Sequence, residues 1–119
     1  MITIELPWPH PALAPNRANG KHWAGVAAIK SKAKGDAFLL TKAVSNGLQL
    51  SALGKYQVEI LFVAPDNRRR DLDGLLSSMK HALDGVAQAL GLDDSQFRPM
   101  VIDRYAGNKP GKVIVTVDA

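Results

Sequence analysis

The chain has 119 residues, a length that fits one domain of the commonest size. Some 46% of it is apolar, which excludes a disordered tail, and no run approaches the ~18 uncharged apolar residues of a membrane span. A formal charge of +4 favours an anionic partner such as nucleic acid; the lack of cysteine excludes disulfides and thiolate zinc sites and fits a reducing cytoplasm.

Met1 to Glu5 has neither the basic nor the apolar region of a signal peptide. The alternation Ile2-Thr3-Ile4-Glu5-Leu6 predicts a first strand. Pro7, Pro9, Pro11 and Pro15 make the stretch up to Asn19-Gly20 a loop, with Trp8 packing on the core edge. From about Trp23 to Val44 there is no proline, and Val26, Ile29, Ala33, Phe38 and Leu40 form an imperfect apolar stripe. The pattern predicts a helix, broken or late-starting near Gly35. Arg17, Lys21, Lys30, Lys32 and Lys34 lie here with no acid between Glu5 and Asp36, as a surface tracking a DNA backbone would require. Lysines also solvate helices, so the run is compatible with an ordinary exposed face.

Asn46-Gly47 and Gly54 bracket a connection to a second strand, Tyr56 to Val63, with Tyr56, Val58, Ile60 and Phe62 on one face. It leads into Arg68-Arg69-Arg70-Asp71-Leu72-Asp73. Leu75, Leu76, Met79, Leu83, Val86 and Leu90 then predict a straight helix, with Asp73, Ser77, Lys80, Asp84 and Gln88 sharing its polar face and Gly91 as its left-handed stop. An acidic turn, Leu92-Asp93-Asp94-Ser95, follows. Met100 to Tyr105 and Val113 to Val117 read as closing strands, joined at Gly107 to Gly111 into a terminal hairpin. The expected fold is α/β (α+β), two-layer: a small mixed sheet with two helices on one face, in the order β-α-β-α-β-β, as a single domain over 1–119.

The chemistry concentrates at the arginine-aspartate run. Neighbouring carboxylates repel unless a cation sits between them, while guanidinium groups match phosphate with a bidentate fork. A metal held against a phosphodiester satisfies both. A solvated turn with an Asp N-cap is the plainer alternative. Magnesium takes a few carboxylates, keeps several waters and relies on substrate phosphate for the rest, so Asp71, Asp73 and an acid of the Asp93-Asp94 turn are its candidate ligands. A straight helix from Asp73 to Leu90 would be about 25 Å long. Either the acidic turn folds back along the helix or a second subunit supplies it. His10, His22 and His81 are scattered and do not suggest a histidine metal site.

The run P-D-N-R-R-R-D-L-D-G-L-L, then A-L-D-G-V and L-D-D-S-Q, resembles the RusA family of Holliday junction resolvases. The opening L-P-W-P and the Asn16-Arg17 pair are similar too. The resemblance is specific from about Pro65 to Gln96. It implies a homodimeric, Mg²⁺-dependent endodeoxyribonuclease of DNA recombination and repair, a hydrolase that nicks paired strands of four-way junctions. Carried over by position, the metal-binding catalytic acids would be Asp71, Asp73 and Asp94; in the mechanism this implies, Arg69 and Arg70 would clamp flanking phosphates, with Arg68 also at the DNA.

Three positions depart from that pattern. Gly74 stands where the family has asparagine, Ser77 where it has a lysine assigned to catalysis or the scissile phosphate, and His81 where a helical acid is common. Lys80, on the same helical face as Ser77, is the candidate replacement for that lysine, because helical side chains lean toward the N-terminus; pairing with Asp84 is its plainer role. The alternative expectation is a catalytically impaired protein that binds junction DNA without cutting it.

Overall fold

A computed structural model describes residues 1–15 and 23–118. Arg17, Lys21 and the Asn16-Arg17 pair fall outside the described residues.

Alternation at the two ends of the chain brings those ends together. Strand β1 (Ile2–Pro7) buries Ile2, Ile4 and Leu6 and exposes the residues between. It pairs antiparallel with β4 (Lys112–Val117), Ile4 lying opposite Val115. Strand β2 (Tyr56–Ala64) buries Val58, Ile60, Phe62 and Ala64, lies antiparallel to β4 and runs parallel to β3 (Phe97–Ala106). The sheet order is β1-β4-β2-β3.

The expected terminal hairpin therefore does not form. Val113, Val115 and Val117 of β4 are wholly buried and take strand neighbours on both sides. By contrast β3 carries Pro99, which lacks a ladder donor, and exposes Asp103, Arg104 and Tyr105. Such a strand suits an edge.

Helices α1 (Trp23–Ser45), α2 (Leu72–Ser78) and α3 (Lys80–Ala89) complete a two-layer α+β fold. Leu75, Met79, Leu83, Val86 and Leu90 meet the sheet's Ile4, Ile60, Phe62 and Val115 in one core. Two expectations are corrected here. First, α1 is unbroken through Gly35. Packing against α3 supports it: the Lys34 carbonyl lies so near Gly85 that a Cβ there would sit 2.2 Å from the oxygen. Tertiary contact overrides the local cost of glycine.

Second, the helix between Asp71 and Leu90 is divided at Met79. Ser77 and Ser78 donate their hydroxyls back to the carbonyls of Asp73 (3.0 Å) and Leu75 (2.6 Å). Such bonds compete with the helical ladder and bend it. Met79, almost wholly buried, fills the bend. The α3 end is as expected: Gly91, at φ +76, sits in a Schellman motif, donating to the Gln88 carbonyl (3.1 Å) while Leu92 donates to that of Ala87 (2.8 Å). No helix among the described residues is long and apolar enough to cross a membrane.

Candidate nucleic-acid and metal site

Chain direction puts Asp71 and Asp73 just beyond the C-terminal end of β2, where α2 begins. Asp71 occupies the N-cap position in extended backbone (φ −87, ψ 139), yet its carboxylate accepts no helix N–H. The plain capping role is thus absent, and both oxygens remain exposed. Asp73 accepts from the Gly74 N–H at 2.9 Å through one oxygen, leaving the other. Both line a cleft of about 630 Å³, together with Trp8, Pro9, His10 and Pro11 of the proline-rich segment and with Arg68, Arg69 and Arg70.

The three arginines are not equivalent. Arg70 donates to Asp66 at 2.9 Å and lies over the Trp8 ring, 5.2 Å from its centroid. Trp8 in turn meets the buried Phe62 edge-on, with centroids 6.0 Å apart. A chain of contacts thus runs from the core to the loop before Asp71, and Arg70 belongs to it rather than to a free phosphate clamp. Asp66 also accepts the Arg68 backbone N–H at 2.9 Å. That bond and the paired guanidinium groups hold its carboxyl below the usual range. Arg68 is largely exposed, 3.7 Å from Asp66, and Arg69 is exposed with no ion-pair partner among the described residues.

Asp94 lies elsewhere. It opens a 3-10 turn (Asp94–Gln96) just before β3, whose Phe97 pairs with Tyr56 at the start of β2. Within the acidic pair, Asp93 is committed to structure: it accepts from the Ser95 backbone and hydroxyl, while Gln96 accepts from its N–H. The Ser95 hydroxyl, then its N–H, hold the Asp93 carboxyl low. Asp94 is left free of the cap. It meets Asp84 of α3, and sharing a hydrogen with that carboxyl, aided by partial burial, pushes its affinity for a proton above the ordinary.

The Asp93-Asp94 turn therefore folds back along α3 as far as Asp84, but not to Asp73. On a straight helix about 16 Å of rise would separate Asp73 from Asp84. Among the described residues, no three Asp, Glu or His side chains stand close enough to share an ion. The expected Asp71-Asp73-Asp94 set does not assemble within one chain. Two exposed carboxylates, Asp71 and Asp73, are of the number and kind that magnesium takes from a protein when water and phosphate supply the rest.

Lys80 stands nearer the acidic turn in its effects. It begins α3, beyond the bend, and its charge acts on Asp93 and Asp94, favouring their ionised forms. The bend removes the straight path by which it would lean back over Ser77, and it groups with the Asp94 turn. Ser77 itself points its hydroxyl at the Asp73 carbonyl. On α1, Lys32 pairs with Asp36, which offsets its charge, whereas Lys30 and Lys34 are exposed. Both add to the effect of burial in lowering the proton affinity of His81.

Sequence reasoning did not link Asp84 to Asp94, Asp66 to Arg70 or His10 to this cleft. Asp84 had a signal: it shares a polar face with Lys80, and a chain reversed at Gly91 must run back past that face. No protein-family model matches the chain. It is 32% identical over 120 residues to an uncharacterized protein of Xylella fastidiosa, an alignment covering 98% of this chain and 76% of that protein. The chain belongs to the family of that Xylella protein.

Proposed function

We propose that the protein is a magnesium-dependent, structure-selective endonuclease of the RusA type, acting on four-way or otherwise branched DNA in the cytoplasm during recombination and repair. The observation that carries this reading is the Asp71-Asp73 pair: an N-cap carboxylate that caps nothing, beside a second acid, in an arginine-edged cleft. Asp71 and Asp73 would hold the ion. When bound, magnesium supplies a water of lowered pKa and offsets charge at the phosphate. Arg69 and Arg68 would attract the flanking phosphates, and the exposed Lys30 and Lys34 the duplex arms. Asp94, which does not reach the pair within one chain, would come from a second copy. A two-fold dimer suits a two-fold junction, because it offers equivalent sites to opposed strands.

The test is incubation of a synthetic four-way junction with the protein and Mg²⁺. Paired nicks are expected, lost in Asp71→Asn and Asp73→Asn with junction binding kept or tightened, since each change removes repulsion from phosphate. Binding by a folded wild-type protein that cuts nothing would sink the nuclease reading. It would leave the impaired junction-binding protein, a reading favoured by the turning of Ser77 onto the Asp73 carbonyl.

A further inference from the structure

The proline-rich segment that lines the cleft has a chemistry of its own. His10 lies between Pro9 and Pro11, whose rings fix their backbone φ, and it caps the short 3-10 turn Pro11–Leu13. Its Nδ1 accepts the Ala12 N–H at 3.0 Å, and its carbonyl accepts that of Leu13 at 2.9 Å. An Nδ1 that accepts carries no proton, so the neutral ring bears its hydrogen on Nε2. Trp8, anchored edge-on against Phe62, steadies the same segment from its other side.

The residue is exposed and lines the same cleft as Arg68, Arg69, Asp71 and Asp73. His10 and the two acids do not form a metal group. The cleft is of the size that holds small-molecule ligands. The donor and the exposed arginines suit an acceptor-rich, anionic occupant, whose repulsion from Asp71 and Asp73 a divalent ion would offset.

We infer that His10 donates a hydrogen bond from Nε2 to a phosphate oxygen of the nucleic-acid strand seated in this cleft. This rests on the nuclease reading for the identity of the strand. His10 is then a DNA contact presented by the proline-rich segment, with the turn that it caps setting the tautomer.

Two substitutions separate this contact from the capping role. His10→Asn keeps a short acceptor that caps well and removes the distant donor. His10→Gln supplies an amide N–H near the Nε2 position and loses the short-range cap. Affinity for a fixed four-way junction without divalent ion, junction kcat/KM with Mg²⁺ and melting temperature are measured for all three proteins. The expected result is a loss of about tenfold or more in junction affinity for His10→Asn at unchanged melting temperature, with His10→Gln retaining most of it. Wild-type affinity in His10→Asn, or losses that follow melting temperature in both variants, would overturn the contact. Wild-type binding without cutting refutes the nuclease reading but not the contact, which the affinity ratio still decides; wild-type protein that does not bind at all overturns both.

Discussion

Asp94 shows how a side chain suited to chemistry can weaken the fold that carries it. Its proton affinity is raised, first by the hydrogen bond with Asp84 and then by partial burial. A carboxyl whose folded pKa lies above its unfolded value of 3.8 stabilises the protein fully below that value and loses the contribution as pH rises through the folded one. At neutral pH the ionised Asp94 therefore opposes Asp84. Asp94→Asn should stabilise at pH 7 by about 0.5 kcal/mol, the usual size of a screened surface charge contact, with the gain fading as pH falls through the raised folded value and gone below 3.8. Melting curves across that range test it, and an equal or larger gain in acid would contradict the pairing. The D-x-D of Asp71 and Asp73 is legible in the sequence because its members are neighbours in the chain. The Asp84 and Asp94 contact is not, because it depends on how the chain turns after Gly91 and on which member of the acidic pair becomes the cap.

The elements themselves were largely written in their periodicity, since β1, β2 and the apolar stripe of α2 and α3 follow from burial of one face. Where reading failed, nonlocal contacts had decided. Two serines bending a helix and a valine-rich strand entering the sheet centre leave little mark on local pattern. Two glycines of the α2–α3 run make the same point energetically. Gly74 has open space where a Cβ would stand, whereas at Gly85 a Cβ would collide with the Lys34 backbone of α1. Gly74→Ala should therefore stabilise by about 0.5–1 kcal/mol through helix propensity. Gly85→Ala should destabilise by about 1–3 kcal/mol, since the clash outweighs the same propensity gain. Urea midpoints at unchanged slope measure both. Shifts in the same direction would mean that α1 does not lean on α3 at Gly85.

At the scale of the molecule, the open question is where the third acid comes from. Within one chain the two acidic groups flank opposite ends of β2, and the nuclease reading needs them together. If two copies complete each other, each site takes Asp71 and Asp73 from one chain and Asp94 from the other. Mixing the Asp71→Asn and Asp94→Asn proteins, each expected to be inactive alone, then has a sharp consequence. In a mixed dimer one site inherits both lesions, while the other receives Asp71 and Asp73 from the Asp94→Asn chain and Asp94 from the Asp71→Asn chain. That site is intact. Refolding or co-expressing the two variants in equal amounts should restore single nicks in a four-way junction at up to about a quarter of the wild-type nicking rate, because half of the dimers are mixed and each of those has one intact site, without the paired cuts that need two working sites. A site built within one subunit predicts no recovery at any ratio, because every site then carries one lesion. Recovery of nicking therefore decides between shared and self-contained sites, and its absence alongside active wild-type protein would require the Asp94 turn to travel to Asp73 within its own chain.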